Sequence, residues 1–162
     1  MPYDLEFYVD GGYRPNHNFG PIGAAAACLM APDGVGYASR TRNLPRRDPQ
    51  PTSQRAELTA IILELEWAVE ECERPDSYPM NIRIYSDSSY AVRSLNTWRY
   101  NWAQSGWQRP NGAPVANQDL FNDIWSLERQ VGQFRTIDYR WVPREANSNA
   151  NWECNQALNE QQ

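Results

Sequence analysis

Apolar residues alternate with polar ones near the start of the chain, and this alternation predicts a β-strand over Leu5–Asp10. A second apolar run and the turn pair Asp33-Gly34 predict two further strands, Ile22–Ala31 and Val35–Arg42, in an antiparallel meander. The first strand ends in Asp10 and is followed by two glycines. Because an acid at a strand end is most often a turn former, Asp10 alone does not indicate a site.

After a polar, proline-rich loop the apolar period changes from two to about 3.6, which predicts a helix over Ser53–Cys72. Thr52 or Ser53 is expected to cap this helix. Glu57 is expected in its first turn beside the apolar stripe, and Glu64 on another, polar face. The helix therefore places one acid close to its N-terminal end.

The next apolar run predicts a strand over Asn81–Asp87, from which a helix over Ser88–Leu95 starts directly. Strand, long helix and strand in this order are typical of a parallel crossover. Later patterns predict a helix over Gln118–Gly132, a strand over Thr136–Val142 and a closing helix that reaches about Asn159. These elements predict one α/β domain over residues 1–162, with an antiparallel meander on one side of its sheet.

Composition narrows the class of protein. The chain has 162 residues, 41% of them hydrophobic, and no apolar run approaches the ~18 residues of a membrane span. A net charge of −5 excludes a protein coated in positive charge, so nucleic-acid binding would need a local patch. The three scattered cysteines favour reduced thiols over disulfides or zinc, and no secretory signal is visible, so we expect an intracellular protein.

Three tryptophans lie within ten residues, Trp98, Trp102 and Trp107, in a segment without apolar periodicity. They could pack a short helix onto the body of the protein. They could also form a surface on which sugars or bases stack. The pattern leaves both uses open.

Asp10, Glu57 and Asp87 all stand at or near the end of a predicted element. If the first and fourth strands pair in parallel, ~4.8 Å apart, their terminal carboxylates converge at one edge of the sheet. Without histidine or cysteine nearby, the ligands are all oxygen, which favours Mg²⁺ or Mn²⁺ over zinc. Two such ions ~3.5–4 Å apart activate a water and stabilise the leaving oxygen of a phosphodiester. The pattern therefore indicates phosphodiester hydrolysis.

Four stretches carry a family resemblance, and their order and spacing extend over nearly the whole chain: Tyr8–Gly12, Thr52–Leu58, Tyr85–Tyr90 and Trp141–Glu145. Together they resemble type 1 ribonuclease H. The resemblance implies a five-stranded mixed sheet of order 3-2-1-4-5 with helices on both faces. It also implies two divalent metal ions and hydrolysis of the RNA strand of an RNA/DNA hybrid.

The resemblance also implies roles for single residues. Asp10, Glu57 and Asp87 match the first three catalytic, metal-binding acids. Asn16 and Gln54, with Ser53 beside it, match contacts to the RNA strand in the minor groove, where 2′-hydroxyl groups distinguish RNA. The positions that match contacts to the DNA strand are Thr52 and Asn117 for a phosphate pocket, and Trp98 and Trp102 for a channel.

The stretch from Trp98 to Gln108 matches the projecting handle of the family, and we call it the handle. Its only basic residue is Arg99, where the family often has lysines. We therefore expect weaker hybrid binding than a lysine-rich handle would give.

The family has a fourth acid, an Asp in the first turn of the closing helix, and no acid of this chain falls in a matching register. Asn151 closes a stretch like Asn-x-x-Ala-Asp, and Asn155 closes one like Asn-x-x-Cys-Asp. Because the preceding loop is short and Glu145 stands where longer loops carry a histidine, Asn151 is favoured and Asn155 is the alternative. An amide lacks the charge of a carboxylate, so the substitution predicts substrate binding with little turnover.

Three hypotheses follow. The first is a metal-dependent endoribonuclease that acts on hybrids and is impaired at one position. The second is an inactive module that binds RNA/DNA hybrids without cutting them. The third is an α/β domain whose acids only cap helices. Under the first two hypotheses the partner is a hybrid, and we expect a monomer without membrane attachment.

Overall fold

The computed structural model describes residues 2–15, 18 and 20–161. Five strands form one sheet: β1 (Tyr3–Arg14), β2 (Ile22–Met30), β3 (Tyr37–Asn43), β4 (Pro79–Ser86) and β5 (Thr136–Trp141). The α-helices are α1 (Ser53–Glu73), α2 (Ser89–Arg93), α3 (Arg99–Gln104), α4 (Gln118–Val131) and α5 (Ser148–Glu160). None of the described helices is both long and apolar enough to cross a membrane.

The strand order is β3-β2-β1-β4-β5, which confirms the predicted order and the mixed sheet. β1 pairs antiparallel with β2 and parallel with β4, and the parallel ladder ends at the pair Val9 and Ser86. β1 continues beyond the predicted end at Asp10 because its ladder with β2 runs on to Arg14. Asp10 therefore lies inside a strand, at the point where only one of the two ladders ends.

Two adjacent glycines let helices approach β1 closely. A Cβ atom on Gly11 would lie 2.3 Å from the carbonyl carbon of Ala56 in α1. A Cβ atom on Gly12 would lie 2.6 Å from Leu158 and 2.9 Å from the sulfur of Cys154, both in α5. Because consecutive strand residues point to opposite faces, α1 and α5 cover opposite faces of the sheet, as predicted.

The predicted cap and thiols agree with the structure. The side chain of Thr52, the first of the two candidates, caps α1 by accepting a hydrogen bond of 3.0 Å from the backbone N–H of Arg55. Cys28 and Cys154 are buried and Cys72 is half-buried, and all three are free thiols.

The tryptophan-rich segment is helical, which the sequence pattern did not predict beyond Leu95. α2 runs through a π-helical turn, Ser94–Trp98, directly into α3. The buried positions along this stretch are Ala91, Ser94, Leu95 and Arg99, and Arg99 is only 4% exposed. Because a charged residue occupies a buried position, the apolar period is interrupted in the sequence.

The expectation that Glu64 lies on a polar face of α1 is wrong. Its side chain is fully buried, and neither carboxyl oxygen has a hydrogen-bond partner among the described residues. Burial, with a smaller contribution from Glu128, raises the pKa of Glu64 well above its usual range. The group is therefore neutral under conditions in which exposed carboxyl groups are ionised.

Gly11→Ala tests the close approach of α1 to β1. The added methyl group has no space because backbone atoms of α1 occupy it, so we expect a loss of about 3 kcal/mol in the free energy of unfolding. The matched control is Gly36→Ala, where a Cβ atom would meet nothing within 4 Å, and we expect a change within about 1 kcal/mol. Urea denaturation measures both, and equal stability of the two variants would contradict the close packing of α1 on β1.

Candidate active site

Two of the three predicted acids lie side by side because their strands are parallel neighbours. Asp10 directly follows Val9, and Asp87 directly follows Ser86, the last residues paired between β1 and β4. Asp10 is buried, with 8% of its surface exposed, and Asp87 is half-buried. The sheet register thus brings both carboxyl groups to one edge of the sheet.

Glu57 reaches the same point from α1. It is the fifth residue of that helix and so lies just beyond the predicted first turn. The backbone N–H of Gly11 donates a hydrogen bond of 3.3 Å to its Oε2 atom. Asp10, Glu57 and Asp87 each offer one carboxyl oxygen, and these three atoms lie within 4.8 Å of one another. The structure therefore brings together the three acids that the sequence singled out.

Burial and the close approach of the three acids raise the pKa values of Asp10 and Glu57. Burial and the neighbouring Asp87 raise the pKa of Asp10 to about 7, although Arg144 and a hydrogen bond from Gly11 act in the opposite direction. Burial, Asp10 and Asp87 raise the pKa of Glu57 well above its usual range. Since the site repels its own negative charges, a bound cation would stabilise the ionised form.

The donor set fits a hard divalent cation. All three side chains offer oxygen, as Mg²⁺ and Mn²⁺ prefer. Oδ2 of Asp87 is buried and has no hydrogen-bond partner among the described residues, so it is available for a further ligand. Carboxyl groups that repel one another and leave a buried oxygen free are the arrangement expected of a metal site.

The N-terminal end of α5 is fastened beside Asp10. Asn147, which is 1% exposed, donates a hydrogen bond of 2.9 Å from Nδ2 to the carbonyl oxygen of Val9. Asn151 lies in the first turn of α5 and donates from Nδ2 to the carbonyl oxygen of Arg144, at 3.3 Å. Its Oδ1 atom is buried and has no partner among the described residues. Asn155 lies one turn later and is exposed.

The candidate contacts to the DNA phosphate meet around Arg55. Its backbone N–H donates to Thr52, and its guanidinium group donates to Oδ1 of Asn117 at 3.4 Å and to Asp119 at 2.7 Å. Asn117 has a left-handed backbone, φ 70°, and its Nδ2 donates to the hydroxyl group of Tyr90 at 3.0 Å. Thr52 and Asn117 thus belong to one hydrogen-bonded cluster.

The residues predicted to contact the RNA strand are only partly covered by the structure. Ser53 and Gln54 are exposed at the start of α1. Asn16 lies outside the described residues. Three residues that the structure connects with the site have no role that the sequence pattern indicates, namely Arg55, Arg144 and Asn147. Their contacts join residues distant in the chain, and no local pattern signals such contacts.

The two tryptophans of the candidate channel lie side by side, with ring centroids 6.1 Å apart. Trp98 is 37% exposed, whereas Trp102 is half-buried and packs edge-to-face on Phe121 at 5.4 Å. Packing onto the body of the protein, one of the two uses left open by the sequence, is therefore confirmed for Trp102. Stacking of sugars or bases stays a prediction, for which the exposed Trp98 is the available ring. Arg99, the one cation of the handle, forms a buried ion pair with Glu128 and cannot contact a ligand there.

Comparison with known proteins identifies the family. A family model described as RNase H matches residues 2–162. Ribonuclease HI of Haemophilus influenzae is 30% identical over 156 residues, 96% of this chain and 88% of the relative. The crystal structure of RNase H1 from the halophilic archaeon Halobacterium salinarum matches with a TM-score of 0.65 at 22% identity, covering 98% of this chain and 99% of that one. The foamy viral protease-reverse transcriptase in complex with an RNA/DNA hybrid matches with a TM-score of 0.68 at 18% identity, covering 94% of this chain and 19% of that one.

Asp10→Asn tests the electrostatic cost of the acidic cluster. The pKa of Asp10 is raised on folding, so without metal the folded protein loses stability as pH rises from the unfolded value, near 4, to about 7. Removing this ionisation should raise the free energy of unfolding at pH 8 by about 1–3 kcal/mol and have little effect below pH 4.

The control for this prediction is Asp33→Asn, which removes one exposed carboxylate in the turn before β3. Denaturation in a chelator at both pH values gives the comparison. A stabilisation by Asp10→Asn that does not grow with pH would contradict the electrostatic account.

Proposed function

The chain belongs to the RNase H family, and we propose on that premise that it is a metal-dependent endonuclease that hydrolyses the RNA strand of RNA/DNA hybrids. The observation that carries the proposal is the convergence of Asp10, Glu57 and Asp87, with one oxygen of each within 4.8 Å of the others. We propose further that residues 1–162 act as one catalytic domain, as a monomer and inside the cell.

We assign the binding of two Mg²⁺ or Mn²⁺ ions to Asp10, Glu57 and Asp87. When bound, such ions supply an activated water and neutralise the charge that develops on the leaving oxygen. The protein holds the three carboxyl groups in place before any ion arrives, since the sheet register fixes two of them and the Gly11 hydrogen bond orients the third. The site therefore loses little conformational entropy when it binds a cation.

We assign the fourth position of the site to Asn151. Its place in the first turn of α5, and its buried and unpartnered Oδ1 atom, favour it over the exposed Asn155. An amide oxygen is a neutral ligand, so it holds a divalent cation more weakly than a carboxylate does. We therefore propose that turnover in Mg²⁺ is weak or absent, and that binding of the hybrid remains.

The substrate contacts follow from the candidate surfaces. Gln54, together with Ser53 and Asn16, is proposed to contact the 2′-hydroxyl groups of the RNA strand. Thr52 and Asn117 are proposed to hold a phosphate of the DNA strand. Trp98 is proposed to stack on the sugars of that strand, with Trp102 beneath it.

The second candidate function is binding of hybrids without cleavage. The neutral side chain of Asn151 favours it, because the other three acids and the substrate surfaces do not depend on the missing charge. The two functions differ in one measurable property, namely whether a fourth carboxylate restores cleavage.

The metal assignment predicts that calorimetry detects Mg²⁺ or Mn²⁺ binding to the wild-type protein and none to Asp10→Asn. Asp10 is central because its carboxyl group neighbours both other acids. Asp33→Asn serves as the control and should bind as the wild type does. Unchanged metal affinity in Asp10→Asn would refute the assignment.

The fourth position predicts a gain of function. Asn151→Asp should raise cleavage of the labelled RNA strand of a hybrid by orders of magnitude in Mg²⁺, because the metal ions would then be fully held. Asn155→Asp is the matched control and should have no such effect, since position 155 is exposed. Mn²⁺ should restore part of the activity of the unmodified chain.

Three results separate the hypotheses. Recovery in Asn151→Asp supports the impaired enzyme. Recovery only in Asn155→Asp would show that the other register is correct. Recovery in neither variant, with hybrid binding intact, favours the binding module.

A further inference from the structure

A groove lies outside the candidate active site, along the side of α4 that faces away from the core. Two adjoining cavities form it, of about 310 Å³ and about 520 Å³, and both are lined by Trp125 and Arg129. The smaller cavity also touches Trp107 at the end of the handle, and the larger one extends to Gln133. The spacing 122, 125 and 129 places lining residues of α4 on one helical stripe, roughly 10 Å long. Gly132 and Gln133 follow the end of the helix and continue the lining.

The groove is continuous with the candidate DNA channel. The ring centroids of Trp98 and Trp102 lie 6.1 Å apart, and those of Trp102 and Trp107 also lie 6.1 Å apart. Trp107 then lines the same cavity as Trp125. A row of four indole rings therefore leads from the channel, around the end of the handle, into the groove.

The ring of Trp125 is held in place from one side. Tyr100 packs edge-to-face on it at 5.6 Å, and the guanidinium carbon of Arg99 lies 4.9 Å from its centroid. Arg99 is itself fixed by its paired hydrogen bonds to Glu128, at 2.7 and 2.9 Å. Trp125 is thus a rigid aromatic surface that is half-buried and still lines the cavity.

The polar lining complements a phosphate backbone. Arg129 is exposed and makes no ion pair with any residue of the described ranges 2–15, 18 and 20–161. The one acid in the lining is Glu128, and its charge is compensated by Arg99. Asn122 and Gln133 add exposed amides that can donate or accept hydrogen bonds. Fixed aromatic rings together with an unpaired arginine are the features by which proteins bind single-stranded nucleic acid without sequence preference.

From this continuity and chemistry we propose that the groove lined by Trp107, Asn122, Trp125 and Arg129 binds the unpaired DNA strand where it extends beyond the hybrid. The inference rests on the proposed function, because the DNA channel at Trp98 and Trp102 is the surface from which the strand would arrive. The groove extends the binding surface past the handle, and its ligand is a single-stranded DNA segment of a few nucleotides.

The test compares a blunt RNA/DNA hybrid with the same hybrid carrying a single-stranded DNA extension of about six nucleotides at either end. Fluorescence anisotropy in a chelator measures binding without cleavage. We expect the extension at one end to increase the affinity of the wild-type protein about tenfold. Trp125→Leu and Arg129→Gln should each remove most of this gain and leave the affinity for the blunt hybrid unchanged.

Two matched controls should retain the gain. Trp152→Leu replaces an exposed tryptophan on α5, and Arg74→Gln replaces an exposed arginine beyond the end of α1. Thermal unfolding of each variant distinguishes loss of the groove from loss of the fold. Arg129→Gln is the decisive variant because its side chain has no ion-pair partner to lose among the residues that the structure describes. It should also lower the dependence of the gain on salt.

Four results would overturn the inference. The first is that a DNA extension does not increase the affinity of the wild-type protein, and the second is that an RNA extension increases it equally. The third is that both groove variants keep the increase in affinity. The fourth is that the groove variants lose as much affinity for the blunt hybrid as for the extended one. A free single-stranded DNA oligonucleotide separates this inference from the proposed function. Suppose that the oligonucleotide binds, that Arg129→Gln lowers the affinity for it, and that the blunt hybrid does not bind. This result would support the groove and contradict the proposed function.

Discussion

Two helices reach β1 from opposite faces because the strand has no side chain at either of two consecutive positions, Gly11 and Gly12. On one face the backbone of α1 comes so close that the N–H of Gly11 bonds to Glu57. On the other face α5 packs Cys154 and Leu158 against the strand. Asp10 immediately precedes this double contact, so α1 brings Glu57 to its neighbourhood, and Asn147, which directly precedes α5, bonds to the carbonyl oxygen of Val9 beside it. The geometry of the acids thus depends on the absence of two β-carbons.

Much of the site could be predicted from the sequence because parallel strands end at the same edge of a sheet. Predicting the positions of Asp10 and Asp87 required only the strands and their pairing. Predicting the position of Glu57 required only the start of a helix. Glu57 lies one residue beyond the predicted first turn, because α1 begins at Ser53, as predicted, and a turn contains about 3.6 residues. No pattern indicated Asn147, because its contact with Val9 joins residues 138 positions apart.

Two departures from the sequence pattern, the helix that continues beyond Leu95 and the burial of Glu64, have a common physical cause, which is burial of charged residue types. Arg99 and Glu64 are counted as surface residues in any pattern of polar and apolar positions, yet both are buried. Arg99 is compensated by Glu128, whose carboxylate also accepts a hydrogen bond of 2.7 Å from the hydroxyl group of Tyr139 on β5. Asn96 adds a bond to the carbonyl oxygen of Tyr139, so the helix leading to the handle is tied to β5 at two points. These polar contacts fix the orientation of the handle relative to the sheet more specifically than apolar packing alone would.

The neutral Glu64 has a consequence for the conditions under which the protein works. Its raised pKa means that the fold loses stability as pH rises from the unfolded value of about 4.5 towards the folded one, because the unfolded chain gains by ionising the group. Cation binding at the acidic cluster changes with pH in the opposite direction. It becomes more favourable as pH rises, because Asp10 and Glu57 must lose their protons before a cation binds. Two carboxyl groups of the same helix therefore respond to rising pH in opposite ways, because deprotonation of Glu57 favours cation binding whereas the raised pKa of Glu64 lowers stability. Part of the pH dependence of stability thus originates inside the core, two helical turns away from the acidic cluster.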